Sequence, residues 1–235
     1  MRKTLQAYKG VFFDAGDTLI TIPEAQTILV EYLAEHSVPI SAEDAARFLQ
    51  EAMDRFYIRK KRNPEALCSP DAERTFWMDV YRYVLERLGV EQHLTKEEIQ
   101  ECCRELYGLY LEPSRYLLFD DVKPALERLS KAGYRIGLVS NFASELRLIL
   151  EDKGILSYFD PLVISAEAGV EKPNPAIFRM ALEQSGLAAQ DVLYVGDHEI
   201  NDIWAPAQVG MDAVRIKRYP DQTGEGIEGL MQLFD

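Results

Sequence analysis

Six residues carry the chemistry that can be read from this chain: Asp14, Ser140, Asn141, Lys172, Asp197 and Asp202. Three carboxylates drawn together repel one another and raise their own pKa values. A hard divalent cation removes that conflict, and Mg²⁺ selects carboxylate, carbonyl and water oxygens. A lysine and a Ser-Asn pair beside it match an incoming phosphoryl group, with Lys172 as a point charge and the Ser140 hydroxyl and Asn141 amide as donors. In that setting Asp14 is the candidate nucleophile, attacking phosphorus to form an aspartyl-phosphate that water later hydrolyses.

Separate elements must bring these residues together. Short apolar runs recur between turn residues: Gly10 to Asp14 (GVFFD), Arg135 to Asn141 (RIGLVSN), Pro161 to Ser165 (PLVIS), Val192 to Asp197 (VLYVGD) and Asp212 to Lys217 (DAVRIK). Continuous rather than alternating hydrophobicity suits strands buried on both faces, as in a parallel sheet. Helical patterns lie between the later runs. Val122, Leu126 and Leu129 share one helix face, and Gly133, Gly154, Gly186 and Gly210 stand where helices end. The expected fold is a doubly wound, Rossmann-like α/β sheet with ligands at the C-terminal strand ends. Asp14 closes the first run, Ser140 and Asn141 the second and Asp197 the fourth, with Asp202 five residues further on; Lys172 lies in a loop before a helix.

Residues 21–115 break the alternation and show helix starts instead: Ser41 with Asp44, Thr95 with Glu98, and Ser69 before Pro70. Phe76, Val80, Val84 and Leu88 then follow at helical spacing. Two domains are expected, an α/β core from residues 1–20 and 116–235 and a helical cap from 21–115. An insert placed directly after the nucleophile strand reads as a lid. Phe76, Trp77 and Tyr81 read as core of that bundle.

Bulk properties narrow the partners. At 47% hydrophobic and 28% charged residues, the 235-residue chain has an ordinary globular composition. A net charge of −13 disfavours nucleic acid and anionic membranes, both of which present phosphates. The one basic cluster, Ile58 to Pro64 (IRKKRNP), reads as a solvated helix face or, alternatively, as a site of substrate capture. No apolar stretch approaches the roughly 20 residues of a membrane span. Cys68, Cys102 and Cys103 show no metal-ligand spacing and read as reduced, buried thiols, which with the absence of a signal-peptide pattern gives a cytoplasmic expectation.

These residues and motifs resemble the haloacid dehalogenase-like hydrolases over essentially the whole chain. FFDAGDTLI is similar to the first motif of that family, with Asp14 at the nucleophile; LVSN is similar to the second, with Ser140 on phosphoryl oxygens. EKPNPAIF and YVGDHEINDIWAPAQVGM are similar to the third and fourth, with Lys172 at the family lysine and Asp197 and Asp202 at the acidic metal-binding pair. A helical insert between the first two motifs is similar to the cap of one large subgroup. The resemblance implies a Mg²⁺-dependent hydrolase, first of all a phosphatase of a small phosphorylated metabolite, and leaves open whether it is a monomer or a homodimer.

The first motif departs from the family pattern. Its phosphatases usually carry a second Asp two residues after the nucleophile, as general acid and then general base; here that position is Gly16, and Asp17 follows where Gly is usual. Residues two apart on an extended strand point the same way and the third points oppositely, so Asp17 is not a simple replacement. The resemblance still makes the Gly16 backbone carbonyl a metal ligand. A general acid is worth about 10²–10⁴-fold in rate, so slow turnover or a preference for good leaving groups is expected. Dehalogenase-like and phosphonatase-like chemistries are the alternatives, with Lys60, Lys61 and Lys96 available as insert lysines. A phosphate- or partner-binding pseudoenzyme is another. His198 reads as a rim residue or, alternatively, a ligand or proton donor.

Overall fold

The computed structural model describes residues 3–58, 65 and 67–235. Lys60, Lys61 and most of the basic run lie outside them. The strands are β1 (Gly10–Phe13), β2 (Ile20–Thr21), β3 (Leu117–Leu118), β4 (Arg135–Ser140), β5 (Leu162–Ile164), β6 (Val192–Gly196) and β7 (Asp212–Arg215). The helices that frame them are α1 (Ala25–Glu35), α2 (Ala42–Met53), α3 (Pro70–Arg87), α4 (Lys96–Tyr110), α5 (Val122–Lys131), α6 (Leu146–Asp152), α7 (Ser165–Ala168) and α8 (Pro175–Ser185). They fall into two compact units.

The first unit, built from residues of 1–21, 62–70 and 116–235, holds a five-stranded parallel sheet in the order β5-β4-β1-β6-β7. All five expected apolar runs are its strands. The chain starts in the centre with β1, adds β4 and β5 on one side, then returns to add β6 and β7 on the other. Strand order reverses at β1, and the crevice beyond its C-terminal end is where such a sheet receives ligands. Phe12 of β1 is fully buried and lies in register with Gly137 of β4. A Cβ at Gly137 would stand 2.6 Å from the Phe12 ring, which accounts for a glycine inside a core strand. Burying a ring of that size stabilises by about 1.5–3 kcal/mol.

A short antiparallel pairing of β2 with β3 was not readable in the sequence. It pairs Ile20 with Leu118 and Thr21 with Leu117, so the two chain ends that lead into and out of the second unit lie side by side. That placement lets a long insertion interrupt the core without parting its strands.

The second unit, residues of 22–61 and 71–115, is helical. The Ser41 side chain caps α2 by accepting from Asp44 N, and Thr95 with Glu98 forms a complete capping box on α4. Its core includes Leu29, Leu33, Val80, Val84, Leu85 and Leu106, and Tyr81 stacks between Trp77 and Tyr110. Cys102 and Cys103 are free and buried in it. Within the stretch read as insert, Leu67 bridges Val170 and Cys68 N donates to Gly169 O at 3.2 Å, which groups this short segment with the sheet unit. Among the described residues no helix is long and apolar enough to cross a membrane.

Candidate active site

Asp14 extends the ladder of β1 by one residue, its N–H donating to Val195 O at 2.9 Å. Its side chain leaves the end of the sheet with only 6% of the residue exposed. Ser140, the last residue of β4, donates from Oγ to Asp14 Oδ1 at 3.0 Å.

Lys172 is the other partner of that oxygen. The residue is 1% exposed, and its three ammonium hydrogens face three acceptors: Asp14 Oδ1 at 2.6 Å, Asp202 Oδ1 at 2.7 Å and Tyr194 Oη at 3.1 Å. Tyr194 gives its own proton to Val139 O at 2.7 Å, so its oxygen is oriented to accept from the lysine. The Asn141 side chain holds the lysine's backbone from both sides, Nδ2 donating to Lys172 O at 2.8 Å and Oδ1 accepting from Lys172 N at 2.7 Å. Asn141 therefore positions the lysine, and the second hydrogen of its amide is what remains for a ligand.

Asp202 projects from a π-helical turn, Glu199–Trp204, that follows β6. Its Oδ2 accepts from His198 N at 2.9 Å. His198 Nδ1 accepts from Ile200 N and Asn201 N at 3.1 and 3.2 Å, capping the turn. Burial lowers the His198 pKa, which suits this neutral acceptor role and leaves Nδ1 committed to the backbone. Gly196 completes the fit: a Cβ there would lie 2.4 Å from Asp202 Cγ. Asp197 directly follows β6, and its carbonyl accepts from Arg215 Nε at 2.9 Å.

One carboxylate oxygen from each of Asp14, Asp197 and Asp202 lies within 4.8 Å of the others, so three acids distant in sequence share one corner. Burial first, and then Asp202, push the Asp14 pKa up to about 6 against the pull of Lys172. Burial and the neighbouring Asp202, Asp14 and Asp17 hold Asp197 well above the usual carboxylate range. Burial alone would lower Lys172, but Asp14 and Asp202 outweigh it and raise its pKa. An all-oxygen cluster with more negative charge than one lysine balances fits a hard divalent cation.

Gly16 presents no side chain, and an added Cβ would meet nothing within 4 Å. Asp17 adopts φ 50°, the left-handed region where glycine is usual and Asp is tolerated. Its Oδ1 accepts from Tyr219 Oη at 2.5 Å and from Thr21 Oγ1 at 3.3 Å, so the carboxylate is engaged in the turn. Burial raises its pKa. Lys96 is exposed at the start of α4. Tyr194 was missed by sequence reasoning; the available signal was a hydroxyl in the middle of an apolar strand, which must find a partner when buried.

Comparison with known proteins agrees with this arrangement. A family model described as haloacid dehalogenase-like hydrolase matches residues 8–210. Haloacid dehalogenase-like hydrolase domain-containing protein 3 of Danio rerio is 31% identical over 63% of this chain, and the match spans 60% of that relative's length. A glyceraldehyde 3-phosphate phosphatase of Methanopyrus kandleri is 31% identical, with 89% of this chain and 84% of the relative covered. Among solved structures, a HAD phosphatase from Thermococcus onnurineus aligns with a TM-score of 0.61 at 26% identity, covering 96% of this chain and 95% of that one. The parallel sheet, the converging acids and the matched family model have one conclusion: this chain belongs to the haloacid dehalogenase-like hydrolases.

Proposed function

We propose that the chain is a Mg²⁺-dependent phosphatase of small phosphorylated metabolites, with Asp14 as nucleophile. One observation carries the reading: the buried Asp14 carboxylate is held by Lys172 and Ser140 within 4.8 Å of oxygens of Asp197 and Asp202. Asp14, Asp197, Asp202 and the Gly16 carbonyl would hold Mg²⁺, which supplies charge neutralisation at the phosphoryl oxygens when bound. Asp14 attacks phosphorus, the new P–O bond forms as the bond to the leaving oxygen breaks, and the leaving group departs with the electron pair. Water then attacks the phosphorus of the acyl phosphate, Asp14 is regenerated as carboxylate, and inorganic phosphate leaves.

Lys172 offsets the negative charge gathered at Asp14 and the phosphoryl group, and Ser140 fixes the attacking carboxylate. The second amide hydrogen of Asn141 serves a phosphoryl oxygen. Position 16 holds no proton donor, so substrates whose leaving group departs unprotonated, such as aryl and acyl phosphates, are favoured. A relative named as a phosphatase of a small phosphate ester supports the substrate class. Three buried cysteines that form no disulfide support action in the cytosol.

Hydrolysis of 4-nitrophenyl phosphate tests the reading. Turnover with Mg²⁺, lost on chelation and in Asp14→Asn, is expected; activity that survives Asp14→Asn contradicts it. Gly16 also favours a second reading, halide displacement from a haloacid, because a halide leaves without a proton. Chelator-resistant halide release with no phosphatase activity would select it.

A further inference from the structure

Resting on that reading of the metal site, we infer that Arg218 and Tyr219 are positioning residues that clamp the Gly16–Thr18 turn and so aim the Gly16 carbonyl. Both lie just beyond β7, some two hundred positions from the turn they touch. Arg218 donates from Nε and Nη2 to the single carbonyl of Thr18, at 3.0 and 2.6 Å. Its Nη1 donates to Asp121 Oδ2 at 2.9 Å, and its guanidinium lies 4.2 Å from the centre of the Phe119 ring. The Arg218 side chain is only 5% exposed. A planar, forked cation buried against one carbonyl, one carboxylate and one ring is a fixed strut, which lysine cannot reproduce. Asp121 is itself fixed, since Oδ2 also accepts from Leu230 N at 2.6 Å.

Tyr219 holds the turn at the neighbouring residue. Its hydroxyl donates to Asp17 Oδ1 at 2.5 Å, and Thr21 Oγ1 closes a triangle at 2.8 Å from Tyr219 Oη. Asp17 is the residue that most needs holding, because a non-glycine residue in the left-handed region costs about 1 kcal/mol or more. Gly16 has no side chain to pack, and its carbonyl shares a peptide plane with Asp17 N, which donates to Ile20 O at 2.8 Å, so the carbonyl's direction follows the placement of the turn as a whole. Backbone bonds close the turn from within, Leu19 N and Ile20 N both donating to Ala15 O at 2.8 and 3.0 Å. The Arg218–Thr18 and Tyr219–Asp17 contacts hold it from without. Partners behind metal ligands act in this way, and their loss typically costs about 10–100-fold in metal affinity.

The test is a Mg²⁺ titration of the full chain followed by melting temperature, for the native protein, Tyr219→Phe, Arg218→Lys and Asp197→Asn. Tyr219→Phe is expected to raise the half-saturating Mg²⁺ about tenfold and Arg218→Lys by at least as much. The metal-free melting temperature of Tyr219→Phe should stay within about 3 °C of native. Saturating Mg²⁺ should restore its kcat on 4-nitrophenyl phosphate, a rescue that a merely structural defect would not show. Half-saturation within about threefold of native in both variants overturns the clamp. Should Arg218→Lys not fold, Tyr219→Phe alone decides. A native chain without any Mg²⁺ shift, or an Asp197→Asn variant that keeps it, overturns the metal reading itself, a separate and recognisable failure.

Discussion

At Gly16 the side-chain chemistry of the site is missing a proton donor, and the surroundings leave space for one. An added Cβ there meets nothing within 4 Å, so Gly16→Asp introduces a carboxylate without a clash. It is expected to raise kcat on alkyl phosphates about 10²-fold, with a much smaller gain on aryl phosphates, whose leaving groups need little protonation. An equal or lower rate on both would show that proton transfer does not limit turnover. Asp17 gives the complementary case. Its Oδ1 is held by Tyr219 and Thr21, so Asp17→Asn should keep alkyl phosphate turnover within about tenfold of native, below what a general acid contributes. A loss of about 10³-fold with native metal binding would make it the acid after all. The convergence of Asp14, Ser140, Asp197 and Asp202 was legible because each falls at or just beyond a strand end of an evident parallel sheet, whereas Lys172 was legible from its motif in the loop before α8. Tyr194 was not, because one hydroxyl inside an apolar run has no pattern to mark it. Nor was the tie between Asn141 and the Lys172 backbone, which depends on how two loops meet.

At the scale of elements, the site is made by strand ends and the turns that leave them. The five long strands were readable from their apolar runs, and the helix starts at Ser41 and Thr95 from their caps. The β2–β3 pairing was not, since strands of two residues carry no periodicity. The π-helical turn after β6 was equally silent, and so was the part played in it by His198, which fastens the turn through Nδ1. That turn aims Asp202 across Gly196, leaving no room between them. Gly196→Ala should therefore displace the Asp202 carboxylate and weaken Mg²⁺ binding by about 10-fold or more while the sheet still forms. Calorimetric titration with Mg²⁺ checks it, and native affinity in a folded Gly196→Ala protein would show that Asp202 is no ligand.

For the whole molecule, the buried acids tie stability to pH. Asp14 is raised from 3.8 to about 6, and Asp197 is also raised well above 3.8, both mainly by burial. Folded chains hold these protons at pH values where unfolded chains have released them. The stabilisation is thus complete below the unfolded value and is lost as pH rises through about 6. With chelator present, the melting temperature should be higher near about pH 5.5 than near about pH 7.5, and the difference should shrink in Asp14→Asn. A melting temperature that only falls on acidification would contradict the burial of these acids. Mg²⁺ should reverse the trend, since it binds the ionised carboxylates and favours the folded chain at higher pH. The account turns on Asp14 taking the phosphoryl group, and acid-quenched single turnover with peptide mass spectrometry reads that step directly. It should find one added HPO₃ on the peptide that carries Asp14, formed only with Mg²⁺ and decaying as phosphate appears; turnover with no phosphorylated peptide at any quench time, or with the group on another residue, would contradict it.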